Sequence, residues 1–310
     1  RSQARSLSRL VHRRDVDGLR AVAVVAVIAF HLFPTSEASG FLGVDVFFVI
    51  SGFLITSIIW TDVANGQFSL ARFYERRVRR ILPALFVVLL LTSLASVVLL
   101  LPTDLLGFAK SILATLAFGA NVYFWRDTNY FARDAQEKPL LHLWSLGVEE
   151  QFYLLFPLIL VLVGRLAPRR ILLALAAVVV ASLVLDVYLR FVGGGIPAFY
   201  LMPSRAWELS AGAVIAVAPG SWAEGARARV ASFVGLGLLV GSLALGPRLP
   251  PLVPAAVPAV IGTMLVIASG GGRSLPERVL SSTPFVAVGQ ISYSLYLWHW
   301  PLLVLTRYWL

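Results

Sequence analysis

Arg20 and His31 stand eleven residues apart in the first apolar run of the chain, DGLRAVAVVAVIAFHLFP, residues 17–34. At about 3.6 residues per turn, a helix places both side chains on one face, about 16 Å apart along its axis, with Asp17 one turn before Arg20. A histidine exchanges its proton near neutral pH, so this face could perform acid–base chemistry beside a fixed cation. Ionisable groups inside membrane helices usually line a cavity. The alternative is that Arg20 extends to the membrane interface and His31 marks the far end of the span.

Two further apolar runs begin with carboxylates. Asp45 heads the run GVDVFFVISGFLI, and Glu149 and Glu150 lie within HLWSLGVEEQFYLLFP, residues 142–157. Adjacent glutamates entering a span are difficult to explain as lipid contacts, so at least one should face a cavity and meet a cation or a proton donor. The alternative is an interfacial belt, in which the flanking aromatic residues anchor the helix and the glutamates remain among the lipid headgroups.

The last apolar run, ISYSLYLWHWPLLV, contains a histidine between two tryptophans. His299 follows Trp298 and lies two residues before Pro301, so it could line a ligand channel or could pack beside a proline kink. Taken with the carboxylates above, the candidate cavity-lining residues are Asp17, Asp45, Glu150, His299 and Trp298.

The densest basic cluster is ARFYERRVRR, residues 71–80. Arg77 and Arg80 are three residues apart, as are Arg76 and Arg79, so a helix would present two arginine rows. Guanidinium groups match phosphate oxygens, which makes the cluster a candidate site for a phosphorylated cytoplasmic ligand. The alternative is a cytoplasmic anchor that follows the positive-inside rule.

The composition predicts an all-α, polytopic membrane bundle, and the number of apolar runs predicts about ten transmembrane helices. The chain is 58% hydrophobic and 14% charged, which neither a soluble domain nor a disordered chain shows. Its net charge of +10 comes from basic residues beside the apolar runs, which favours the positive-inside rule over nucleic-acid binding. The sequence contains no cysteine, and we find no zinc-type histidine pair, Walker loop or GxSxG elbow, so no metal site is predicted.

We expect one membrane domain over residues 1–310, with residues 1–14 as a basic cytoplasmic segment and a retained first span rather than a signal peptide. The ten predicted runs lie near residues 18–34, 41–62, 81–101, 105–125, 144–164, 171–191, 205–219, 230–247, 251–268 and 285–306. The run at 105–125 contains Lys110, Asn121 and two glycines, so it could be re-entrant or tilted. Ten simple spans would place Arg165, Arg169 and Arg170 outside, against the positive-inside rule.

Five motifs in order resemble one known family. They are Arg20-x10-His31, FFVISGFLI, Arg77-x-x-Arg80 before ILPAL, WSLGVEEQFYLLFP and YSLYLWHWP. From about residue 15 to the end, the chain is similar to the acyltransferase-3 family of integral membrane acyltransferases. The resemblance implies transfer of an acyl group, most often acetyl, from cytoplasmic acyl-coenzyme A to a hydroxyl of an extracytoplasmic glycan or glycolipid. It implies acyl-coenzyme A as a donor substrate, no permanently bound cofactor, and an inner (plasma) membrane location.

The resemblance also assigns roles to residues. Arg20 and His31 match the family's essential pair, Glu149 matches the glutamate of its fifth span, and Arg77 and Arg80 match the pair associated with the donor. His31 would then be a base or an acyl carrier, and these groups should share one cavity. The form of the glutamate motif resembles the branch often fused to an extracytoplasmic SGNH domain, and we expect any such domain to lie outside residues 1–310. The alternative functions are a secondary transporter or flippase and a non-catalytic membrane scaffold.

Overall fold

The computed structural model describes residues 12–33, 38–127, 133–193, 195–218, 225–245, 254–270 and 274–310. Within these ranges the regular structure is entirely helical, as the composition predicts. The α-helices, numbered in chain order, are α1 Arg14–Leu32, α2 Gly43–Ala64, α3 Leu70–Leu99, α4 Pro102–Leu116, α5 Ala120–Asp127, α6 Trp144–Leu166, α7 Ile171–Gly193, α8 Ile196–Tyr200, α9 Met202–Val217, α10 Gly225–Leu245, α11 Ala256–Ser269, α12 Leu275–Leu280 and α13 Thr283–Trp309. Short 3-10 turns occur at Gly40–Leu42, Arg133–Glu137, Leu141–Leu143 and Pro168–Arg170.

Five helical segments of the described chain are long and apolar enough to cross a membrane. They are Gly40–Ala64, Leu70–Leu99, Leu141–Leu166, Ile171–Val192 and Gly225–Leu245. The arginine cluster at 71–80 is helical, because α3 begins at Leu70 and runs on through Pro83. Most of the predicted N-terminal segment 1–14 and the start of the run at 251–268 lie outside the described residues.

Contacts divide the chain into two compact units. The first contains Arg1–Phe68, Pro157–Ala181 and Trp207–Ser292. Its helices approach closely where glycines face backbone: a Cβ added at Gly52 of α2 would lie 1.8 Å from the carbonyl oxygen of Leu209 in α9. Gly212 of α9 makes the reciprocal approach to Val49 of α2. Small residues at such crossings let apolar helices pack at short range, where van der Waals contact supplies much of the attraction in a membrane.

The second unit contains Ser69–Phe156, Ser182–Ala206 and Tyr293–Leu310. In it, the predicted run at 105–125 is not one continuous span. Helix α4 ends at Leu116, and α5 begins at Ala120 and folds back, since the Tyr123 hydroxyl donates to the Gly107 carbonyl at 3.1 Å. The predicted run is therefore two helices joined by a reversal of the chain, and whether it is re-entrant in the membrane stays a prediction.

Buried amides fasten the turn of this hairpin. Phe118 adopts a φ of +53°, a conformation that bulky residues rarely take. The Gln151 amide of α6 donates to the Phe118 carbonyl and to the Asn121 side-chain oxygen, each at 2.8 Å. Asn121 in turn donates to the Tyr200 carbonyl at 3.1 Å. Asn121, a polar residue within an apolar run, thus stabilises a reversal of the chain.

Candidate functional site

The first candidate group lies on α1, in the first unit. This helix is continuous from Arg14 to Leu32, so the predicted shared face of Arg20 and His31 is present. Asp17 is buried and lies 2.7 Å from His12 Nε2 and 3.8 Å from Arg20, measured from its two carboxylate oxygens. His31 is only 8% exposed, whereas the next residue, Leu32, is 49% exposed. The imidazole is therefore packed against protein rather than facing outward.

The N-terminus of α2 packs against the second half of α1. A Cβ on Gly43 would lie 2.4 Å from the Ala23 carbonyl oxygen, and one on Gly40 would lie 2.1 Å from that of Ala26. Asp45, two residues after Gly43, is almost completely buried in the first turn of α2. A carboxylate near a helix N-terminus is stabilised by the positive end of the helix dipole. The crossing therefore places a buried carboxylate on α2 in the same unit as Arg20 and His31.

A second candidate group joins α3 and α6 in the second unit. The Arg77 guanidinium carbon lies 3.8 Å from the centroid of the Tyr153 ring, and its Nη2 lies 4.0 Å from Glu150 Oε1. The Tyr153 hydroxyl donates to Glu149 Oε1 at 3.0 Å. Tyr74 of α3 also donates to the Leu154 carbonyl at 2.8 Å. The sequence predicts that at least one glutamate meets a cation or a proton donor. Glu150 lies beside the cation Arg77, and Glu149 accepts a hydrogen bond from Tyr153.

The other arginines of the cluster face outward. Arg80 and Arg79 are exposed, and Arg79 pairs with Glu75 one turn earlier at 2.7 Å. Of the two residues matched to the donor motif, Arg77 is thus a partly buried cation held in position, and Arg80 is an accessible one. An exposed arginine next to a fixed one suits a ligand whose phosphates approach from solvent.

The third group surrounds His299 in α13. His299 Nδ1 donates to the Tyr296 carbonyl at 2.6 Å, and its ring meets the His142 ring edge-on at 5.5 Å between centroids. His142 Nε2 donates to the Leu297 carbonyl at 3.1 Å. The Tyr296 hydroxyl lies 2.6 Å from Ser145 Oγ and donates to the His142 carbonyl at 2.9 Å. His299 thus belongs to a hydrogen-bonded network of buried polar groups.

Trp298 is partly exposed, and its position at a cavity stays a prediction. The neighbouring Trp300 is 4% exposed, and its Nε1 donates to the Lys138 carbonyl at 2.9 Å. Sequence reasoning missed Arg205 and Glu208, which are both fully buried in α9. Their spacing of three residues within an apolar run was the signal that could have revealed them.

The predicted site residues thus fall into separate described groups. Arg20, Asp17, Asp45 and His31 lie in the first unit, and Arg77, Arg80, Glu149, Glu150 and His299 lie in the second. That they share one cavity stays a prediction. Among the residues described, no cluster of three or more histidine, cysteine, aspartate or glutamate side chains could hold a metal ion.

The family model described as an acyltransferase domain matches residues 13–310. The chain belongs to the acyltransferase-3 family. Its relatives include "O-acetyltransferase OatA" of Staphylococcus aureus, 33% identical over 304 residues that cover 93% of this chain and 50% of the relative. "Peptidoglycan O-acetyltransferase OatA" of Listeria monocytogenes is 31% identical over 311 residues, covering 94% and 49%. BcsY of Komagataeibacter xylinus is 32% identical over 302 residues, covering 96% and 74%.

This acyltransferase-3 chain spans about half the length of the OatA relatives. A comparison with solved structures found no match. Family membership together with the long apolar helices establishes a multi-pass membrane protein. The predicted fold class and family are confirmed.

Proposed function

We propose that this chain is a plasma-membrane O-acyltransferase. It would move an acyl group, most simply acetyl, from cytoplasmic acyl-coenzyme A to a hydroxyl of an extracytoplasmic glycan or glycolipid. The observation on which the proposal rests is the buried His31 on the same helical face as Arg20, in a family whose relatives are named O-acetyltransferases. The name of the Listeria relative makes peptidoglycan the first acceptor to test.

The donor would bind beside Arg77 and Arg80. Coenzyme A carries several phosphates, and arginine forks bind phosphate oxygens in charge-assisted hydrogen bonds. Arg77 is held between the Tyr153 ring and Glu150, which fixes its position before a donor arrives. Arg80 is exposed on the same helix and can meet an incoming phosphate.

The arrangement of basic residues supports a cytoplasmic location for this end of α3. The cluster at 71–80 marks the cytoplasmic end under the positive-inside rule. With α4 and α5 forming a hairpin rather than one crossing, the span that follows would run back toward the cytoplasm, and Arg165 near its end would lie on the cytoplasmic side. Arg169 and Arg170 then follow the rule as well, which removes the conflict that ten simple spans created.

Acyl transfer to an alcohol needs a base, charge stabilisation and exclusion of water. The acceptor oxygen attacks the thioester carbonyl carbon, so a C–O bond forms and the C–S bond breaks. The hydroxyl proton passes to His31 and then to the leaving thiolate, which departs as the thiol of coenzyme A. Alternatively, His31 first takes the acyl group on its nitrogen and then passes it to the acceptor. Arg20 would bind the donor, because about 16 Å of helix separates it from His31, and Asp17, about 21 Å from His31 along α1, would balance the charge of Arg20. That Glu149 orients the imidazole stays a prediction.

The proposal is tested with membranes that contain or lack the protein, supplied with acetyl-coenzyme A labelled in the acetyl group. Label should appear in surface glycans, as an alkali-labile ester, only when the protein is present. Movement of a solute without any label in glycan would favour a transporter. Neither activity, together with tolerance of Arg20→Ala and His31→Ala, would favour a scaffold.

A further inference from the structure

A cavity of about 250 Å³, lined by both polar and apolar groups, opens at the end of α3 opposite the arginine cluster, in the second unit. Its walls come from five places in the chain: Leu100 after α3, the first turns of α4, helix α5 with its end at Asp127, the residues from Glu137 to Pro139, and Tyr308 of α13. None of these residues belongs to the candidate groups described above.

Hydrogen bonds between these segments hold the cavity open. The Tyr308 hydroxyl donates to Asp104 Oδ2 at 3.2 Å and to the Glu137 carbonyl at 3.3 Å. Lys138 Nζ pairs with Asp127 Oδ2 at 2.5 Å, although the two side chains remain 27% and 41% exposed. The wall is therefore formed before any ligand binds, and its charged ends still reach the opening.

The lining combines rings with hydrogen-bonding groups. Tyr123 and Tyr308 present aromatic surface, and Thr103 adds a hydroxyl. The ionisable lining residues comprise the carboxylates of Asp104, Asp127 and Glu137 against one ammonium, that of Lys138. An excess of carboxylates repels phosphates and coenzyme A, but carboxylate oxygens accept hydrogen bonds from hydroxyl groups. Sugar rings offer both hydroxyls and an apolar face.

We infer that this cavity is a binding subsite for a neutral glycan, the acceptor side of the proposed reaction. The inference rests on the proposed function for the orientation of α3. That helix has 30 residues and is about 45 Å long, and the part from Arg80 to Leu100 spans about 30 Å, the thickness of the hydrocarbon core. The cavity then opens on the extracytoplasmic side. Its volume lies below the roughly 300–1,000 Å³ of sites for drug-sized ligands, so it suits a single sugar ring of a longer chain.

The probe is chitotetraose, a neutral oligosaccharide, bound to the full chain in lipid nanodiscs and followed by saturation-transfer NMR and titration calorimetry. Asp104→Asn and Tyr123→Leu should each weaken chitotetraose binding at least tenfold and leave acetyl-coenzyme A binding within twofold of wild type. Glu75→Gln, which removes an exposed carboxylate from the other end of α3, is the matched control and should change neither.

Unchanged chitotetraose affinity in both cavity variants, no binding by the wild type, or displacement of the sugar by coenzyme A would each overturn the inference. The proposed function fails separately. If the chain binds chitotetraose in this cavity but esterifies no glycan, the subsite stands and the acyltransferase proposal falls. If Asp104→Asn and Tyr123→Leu acylate glycan with a wild-type acceptor KM, the subsite falls and the acyltransferase proposal stands.

Discussion

Replacing Arg77 by alanine should destabilise the second unit far more than replacing Arg79. The Arg77–Glu150 pair joins side chains that are 16% and 12% exposed, with 4.0 Å between the charged atoms. Two unit charges at that distance attract by about 4 kcal/mol at an effective dielectric constant of 20. Removing one partner of a fully buried pair typically costs about 3–5 kcal/mol, because the other charge stays buried, and this pair is close to that limit although both side chains keep some exposure. The exposed Arg79–Glu75 pair should contribute only about 0.2–1 kcal/mol.

The assay is unfolding of the purified protein in mixed micelles with increasing SDS, followed by tryptophan fluorescence. Arg77→Ala should lower the free energy of unfolding by about 3–5 kcal/mol. Adding Glu150→Gln to Arg77→Ala should restore part of that loss, since no uncompensated charge remains. Equal losses for Arg77→Ala and Arg79→Ala, or no recovery in the double variant, would refute the reasoning.

Two further predictions use matched pairs. Gly52→Ala should prevent normal packing of α2 against α9, because its Cβ would lie 1.8 Å from the Leu209 carbonyl oxygen. The yield of folded protein in size-exclusion chromatography should therefore fall. Gly237→Ala is the control and should preserve that yield, because its Cβ would meet nothing within 4 Å. Comparable yields for the two variants would contradict this packing. Arg80→Ala should raise the donor KM in a labelled acetyl-coenzyme A assay by roughly tenfold or more, since a charge-assisted hydrogen bond contributes about 1.5–3 kcal/mol. Arg79→Ala is the control and should leave the donor KM near the wild-type value. A uniform effect of both arginine variants would support the anchor interpretation.

The sequence predicts the helices well because their physics is local. Apolar length, helical spacing and the absence of competing structure in lipid are all visible in the residues. The shared face of Arg20 and His31 follows from helix geometry alone, and α1 confirms it. The α4–α5 reversal was partly visible as well, through Asn121 in an apolar run. Its turn depends on Gln151, thirty residues later, which no local pattern reveals.

Contacts between distant segments could not be read in the same way. The stacking of Arg77 on Tyr153 joins α3 to α6, and nothing in either segment specifies the other. The hydrogen bond of Trp300 depends in the same way on the position of the Lys138 carbonyl. Periodicity finds the face of a helix that carries polar groups, but tertiary packing decides which partner each group meets.

The most direct test of the acyltransferase account is the rate at which a His31→Ala protein esterifies glycan, measured with and without added imidazole. A positioned acid–base group contributes about 10²–10⁴-fold, so the rate should fall at least a hundredfold. Because the imidazole of His31 is buried, its loss leaves a space that free imidazole can enter, and the rate should partly recover. A His31→Ala protein that acylates glycan at the wild-type rate would contradict the account.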